Sequence, residues 1–210
     1  MRLFRLLFLP LLIGAAPAAA PPPTAGPLIV AFGDSLTAGY GLEPGLGFAP
    51  QLEATLRRHG IAATVEDAGV SGDTTSGARG RLGWTLDGLG RKPDLVIVEL
   101  GGNDMLRSVD TRVTRDNLAA MAAELKRRDI PVLIAGMRAV RNADPAYVRA
   151  FEDIYPRLAR EQGVPLYPFF LEGAALQQGM MQQDGLHPTF EGVKRIVTGI
   201  TPAVKAALPR

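Results

Sequence analysis

Leu28-Ile29-Val30-Ala31-Phe32-Gly33-Asp34-Ser35-Leu36-Thr37 joins a short continuous apolar run directly to a polar, glycine-containing turn. An apolar run without alternation is the pattern of a strand buried on both faces, as in a parallel sheet covered by helices. Further along, strand-like and helix-like patterns alternate. Phe48, Leu52 and Leu56 recur at helical spacing, and Gly60 ends that helix. Ala63 to Ala68 reads as a weaker strand and Thr74 to Leu89 as a helix despite Gly77, Gly80 and Gly83. Leu95 to Leu100 is the clearest buried strand. Val113, Asn117, Met121 and Leu125 share a stripe on the helix after it. Val132 to Ala135 is a strand. Val148, Phe151, Tyr155 and Leu158 mark one amphipathic helix that Gly163 stops. Val164 to Tyr167 is a last short strand. A closing helix carries Val193, Ile196, Val197 and Ile200 on one side, with Pro188 in its first turn. This alternation predicts an α/β domain whose parallel sheet is covered on both faces. No repeat and no second domain interrupts residues 28–210.

The chain has 210 residues, 47% of them apolar, enough for one ordinary domain with a real core. Its start differs from the rest. Arg2 and Arg5 precede an apolar run from Leu6 to Ala16, and Ala16-Pro17-Ala18 offers small residues where a signal peptidase reads. Residues 1–18 are therefore expected to be a cleavable secretory signal, too short to span a membrane, and 19–27 a Pro-rich lead-in. Export to the periplasm or beyond follows. Of 23 basic and 21 acidic residues, two arginines leave with the signal, so the mature chain is formally neutral and gives no case for nucleic acid. There is no cysteine, hence no disulfide, thiol nucleophile or zinc-thiolate site.

In open parallel sheets, ligands bind outside the carboxyl ends of the strands. Three polar turns are expected there: Gly33 to Thr37, Gly69-Val70-Ser71-Gly72-Asp73, and Gly101-Gly102-Asn103-Asp104. An isolated Gly-Asp-Ser would ordinarily be a helix cap. Two companion turns on the same edge, and the histidine count, favour a nucleophile at Ser35. Of the two histidines, His59 ends a helix running to the opposite edge of the sheet. His187 stands in Asp184-Gly185-Leu186-His187-Pro188, three residues after a carboxylate. Asp184 can accept the Nδ1 proton and fix the tautomer, while Nε2 faces a serine. Carbonyl attack also needs fixed donors for the developing oxyanion. The backbone N–H groups of Ser35 and Gly72 and the Asn103 amide are the candidates.

These blocks together, Gly33-Asp34-Ser35-Leu36-Thr37-Ala38-Gly39-Tyr40-Gly41, Gly72 in Val-Ser-Gly-Asp-Thr, Gly-Gly-Asn-Asp at 101–104 and Asp-Gly-Leu-His-Pro at 184–188, resemble the SGNH hydrolases, also called GDSL esterases/lipases. The nearest likeness is to the exported bacterial arylesterase, lysophospholipase and acyl-CoA thioesterase group. The resemblance implies a flavodoxin-like three-layer αβα sandwich with a mainly parallel five-stranded sheet. It implies Ser35 as nucleophile and first oxyanion donor, Gly72 and Asn103 as further donors, His187 as base and Asp184 as its partner. Asp34 is expected to hold the nucleophile loop. Leu36, Met105, Leu106, Val140 and Leu186 are the expected substrate-binding residues. No cofactor and no metal are implied, and the expected partner of a monomeric chain is a small-molecule or lipid ester. Met105-Leu106-Arg107-Ser108 and Arg138-Ala139-Val140-Arg141-Asn142 depart from that group, so its substrate range does not carry over. A carbohydrate or peptidoglycan O-deacetylase would use the same residues. A non-catalytic binding module on this fold would lack a catalytic member, and none is missing.

Overall fold

The computed structural model describes residues 26–140 and 142–209. The expected signal, most of the lead-in and Arg141 lie outside the described residues.

Five strands form one sheet: β1 (Leu28–Gly33), β2 (Thr64–Gly69), β3 (Leu95–Glu99), β4 (Val132–Ala135) and β5 (Leu166–Tyr167). Their order is β2-β1-β3-β4-β5, and every pairing is parallel. The expected sheet is thus present, and it is wholly parallel. Strands β1, β3 and β4 are buried throughout, as continuous apolar runs require. Edge strand β2 alternates more and is largely exposed.

Among the described residues, eight helices surround the sheet: α1 (Ser35–Ala38), α2 (Phe48–Arg58), α3 (Thr75–Asp87), α4 (Gly102–Leu106), α5 (Thr111–Arg127), α6 (Pro145–Glu152), α7 (Ile154–Gln162) and α8 (Phe190–Ala207). Helices α2 and α8 pack together on one face; α3, α5 and α7 cover the other. The core between these layers includes Phe32, Leu52, Ile97, Leu133, Tyr155 and Ile200, each essentially inaccessible to solvent. At about 25 cal/mol per Å² of apolar surface, such burial drives the folding of this cysteine-free chain.

Three local expectations are corrected. The segment from Val148 to Leu158 is two helices, broken at Asp153. Pro156 explains the break, because its ring has no N–H for the Glu152 carbonyl and would clash with it. Val113 is exposed, since Thr114 takes the inward position in the first turn of α5 and donates to buried Asp104. Helix α8 starts at Phe190, capped by the Thr189 hydroxyl on the Gly192 N–H, so Pro188 precedes the helix.

The strand order reverses beside β1, which pairs with both β2 and β3. A crevice outside the carboxyl ends of these strands is where such a sheet takes its ligands. Helix α1 follows β1 at that crevice and lies directly on Gly69, where a Cβ would sit 2.4 Å from the Ala38 nitrogen. Only glycine lets the end of β2 approach the α1 backbone this closely.

Candidate active site

Asp34 caps α1: its Oδ1 accepts the Leu36 N–H at 3.0 Å. Ser35 is the first helical residue and is mostly buried. The loop 168–189 brings His187 across from the far side of β5. Its Nε2 stands 2.9 Å from the Ser35 Oγ, across 152 residues of chain. Its Nδ1 donates to the Asp184 Oδ2 at 2.6 Å. Asp184 Oδ1 accepts the backbone N–H groups of Leu186 (2.9 Å) and His187 (3.0 Å). The His187 hydrogen bond, then these amides, hold the Asp184 carboxyl down at about 2, so it is ionised at any working pH. The structure therefore brings together Ser35, His187 and Asp184, and leaves His59 at the C-terminus of α2.

The expected oxyanion donors lie on adjoining turns. Gly72 has φ +82° and its carbonyl accepts from the Arg107 guanidinium at 2.9 Å. Among the described residues, neither the Ser35 nor the Gly72 backbone N–H is engaged in a hydrogen bond. The Asn103 amide donates to the Asp73 carbonyl at 2.9 Å and to Asp34 Oδ2 at 3.1 Å. Asn103 thus ties the turn carrying Gly72 to the turn carrying Ser35. Its neighbour Asp104 is fully buried and anchors α4 to α3 and α5 through Thr75 and Thr114.

A second carboxyl lies under the Ser35 turn. Glu99, at the end of β3, is 1% exposed; Oε2 accepts the Thr37 hydroxyl at 2.8 Å, and Oε1 has no partner. Burial, then the nearby Asp34, pushes the Glu99 carboxyl well above its ordinary range. Burial also pushes Asp34 up to about 6, against the hydrogen bonds from Leu36 and Asn103. Sequence reading took Glu99 as the tail of an apolar strand. A carboxylate closing such a run was the signal that could have found it.

Of the expected substrate-binding residues, Leu106 and Leu186 are exposed, Val140 is half-buried, and Leu36 and Met105 are packed into the core. Tyr40, in the first sequence block but given no role by it, lays its ring 4.5 Å from the His187 ring, centroid to centroid. A groove of about 790 Å³ lies elsewhere, between α2 and α8, and includes His59 but not Ser35. The chemical groups, and not that groove, locate the site. No group of three or more metal-ligating side chains occurs among the described residues.

A doubly wound parallel sheet with serine, histidine and aspartate drawn together at its switch edge defines the class of serine hydrolases. The sequence matches the profile of the GDSL-like Lipase/Acylhydrolase family over residues 31–195, and the chain belongs to that family. It is 37% identical over 180 residues to "Esterase TesA" of Pseudomonas aeruginosa, covering 86% of this chain and 89% of that one. It is 36% identical over 160 residues to "Thioesterase 1/protease 1/lysophospholipase L1" of Escherichia coli, covering 76% of this chain and 74% of the other. Among solved structures, the SGNH-hydrolase family esterase AlinE4 superposes with a TM-score of 0.75 at 48% identity, over 88% of this chain and 98% of that one.

Proposed function

We propose that this chain is an exported hydrolase of carboxylic esters and thioesters that works through an acyl-enzyme on Ser35. The observation that carries the reading is the continuous line Ser35 Oγ–His187 Nε2, His187 Nδ1–Asp184 Oδ2, at 2.9 and 2.6 Å. Similarity to proteins named esterase and thioesterase/lysophospholipase supports the substrate class.

In this reading Ser35 Oγ attacks the substrate carbonyl while His187 Nε2 takes the hydroxyl proton. Asp184, ionised and fixed by two backbone amides, holds the tautomer with hydrogen on Nδ1 and stabilises the imidazolium. The carbonyl oxygen becomes an oxyanion facing the free N–H groups of Ser35 and Gly72. Asn103 supplies the third hydrogen. The longer of its two bonds, to Asp34, is the one a developing oxyanion draws upon. His187 returns the proton to the leaving alkoxide or thiolate, and water then repeats the sequence to release the acid. Exposed Leu106 and Leu186 are suited to contact the acyl or aryl group.

The test is labelling with an organophosphonate followed by peptide mapping, together with a panel of p-nitrophenyl acetate to palmitate, phenyl acetate, lysophospholipid, acyl-CoA and acetylated xylan. The adduct is expected on Ser35, with turnover of aryl and acyl esters. Label on another serine, or turnover confined to acetylated xylan, would overturn the reading.

A further inference from the structure

His187 reaches Ser35 from residues 168–189, which contain no strand or helix beyond the single bridge between Met181 and Pro188. A long irregular segment does not by itself hold an imidazole to a fraction of an ångström. We infer that Gln182 is the positioning residue that does so, by tying the base loop to the nucleophile loop. The inference rests on the proposed roles of Ser35 and His187.

The Gln182 carboxamide gives its hydrogens to two carbonyls on the two loops. Nε2 lies 2.7 Å from the Tyr40 oxygen and 3.0 Å from the Pro188 oxygen. Its backbone N–H donates to the His187 carbonyl at 2.7 Å, and its own carbonyl accepts from Gly185 at 3.0 Å. The backbone on either side of the His187 side chain is thereby fastened to one residue. On the other loop, the Tyr40 N–H donates to the Ser35 carbonyl at 3.0 Å. The path from nucleophile to base is then Ser35 carbonyl, Tyr40 peptide, Gln182 amide, Pro188 and His187. Tyr40 closes it from above by laying its ring against the imidazole.

The position suits this residue type. Two carbonyl acceptors require two hydrogens on one atom. A neutral primary amide supplies them without burying a charge, and Asn is one carbon shorter. Glutamate would present oxygens to oxygens. The partner loop is shaped to admit the amide. Gly41 has φ +75°, and a Cβ there would sit 2.3 Å from Gln182 Oε1. Near-attack geometry is steep in distance, and a displacement of about 1 Å costs on the order of 10²-fold.

The experiment compares Gln182→Met, which keeps length and loses both hydrogens, with Gln182→Lys, which restores donors of similar reach. Ser35→Ala serves as the reference. On a short p-nitrophenyl ester, Gln182→Met is expected to lower kcat by about 10–100-fold with KM little changed. The rate of phosphonylation of Ser35 is expected to fall in step, and Gln182→Lys to recover part of both. Wild-type kcat in Gln182→Met, or a loss that appears only in KM, would overturn the inference. So would failure of both variants to fold, which would make Gln182 a structural support only. An active Ser35→Ala would instead remove the proposed function on which the inference stands.

Discussion

Replacing Asp184 by Asn is expected to damage catalysis more than replacing it by Ala. The reason lies in the two backbone donors. Asp184 Oδ1 accepts from Leu186 and His187 N–H, and only Oδ2 faces the imidazole. An Asn side chain keeps those two bonds by placing its oxygen at the Oδ1 position. Its NH₂ group then points at Nδ1 from about 2.6 Å. Two donors cannot share that contact, so Nδ1 gives up its hydrogen and accepts. The proton moves to Nε2, the atom that must be bare to receive the serine proton. Selecting the wrong tautomer of a triad histidine costs about 10⁴-fold in kcat, close to 5.5 kcal/mol of barrier. Asp184→Ala removes the imidazolium stabiliser without forcing the tautomer, so its loss is expected to be the smaller of the two. The carboxyl of Asp184 is held down at about 2, so the ranking should persist across the pH range in which the enzyme is folded. The assay is kcat on p-nitrophenyl acetate for the wild type and both variants, with His59→Gln as a distant control expected to match the wild type. An Asn variant more active than the Ala variant would refute the tautomer argument. A proton resonance characteristic of Nδ1–H surviving in Asp184→Asn would refute it independently.

Asn103→Ala is expected to lower kcat by about 10²–10³-fold with KM nearly unchanged, because the charge it meets exists chiefly in the transition state; steady-state kinetics check this. Glu99→Gln is expected to stabilise the protein increasingly as pH rises. Burial keeps the wild-type carboxyl protonated in the fold, while the unfolded chain releases that proton above about 4.3. The stability of the wild type is therefore full below that value and declines towards the raised folded pKa. Thermal melts at pH 5 and pH 8 should show the gap between variant and wild type widening, and a constant gap would refute it. Expression in a bacterial host is expected to yield a mature chain beginning near Ala19, read by intact-mass measurement of the exported fraction; a chain retaining Met1 would refute the signal.

The parts of the fold that were legible in the sequence are those in which neighbouring residues make the pattern. Leu28 to Phe32 and Leu95 to Val98 carry their burial in their composition, and α2 carries its inward face in the spacing of Phe48, Leu52 and Leu56. Much of the site is equally local, since Asp184 and His187 share one turn and the nucleophile turn follows its strand directly. What was not legible depends on backbone carbonyls and on burial far along the chain. Gln182 finds its acceptors in the main chain of Tyr40 and Pro188, and main-chain acceptors leave no mark in sequence. Glu99 is buried by the packing of β1 and α1 on its strand, and only its place at the end of an apolar run hinted at this. The division of α6 from α7 was written in Pro156, but the apolar stripe crossing it pointed the other way.

The serine and its histidine are 152 residues apart, and the second arrives only with the loop before the last helix. During synthesis, the first strand and its nucleophile emerge long before the base exists. β1 must also wait, because its neighbour β3 comes later, and parallel pairings of this kind close slowly. On the proposed roles, a ribosome-bound chain that lacks His187 carries an inert serine. On the same roles, hydrolysis begins only when the His187 loop has joined the folded sheet, so the order of residues along the polypeptide acts as a timer on the activity.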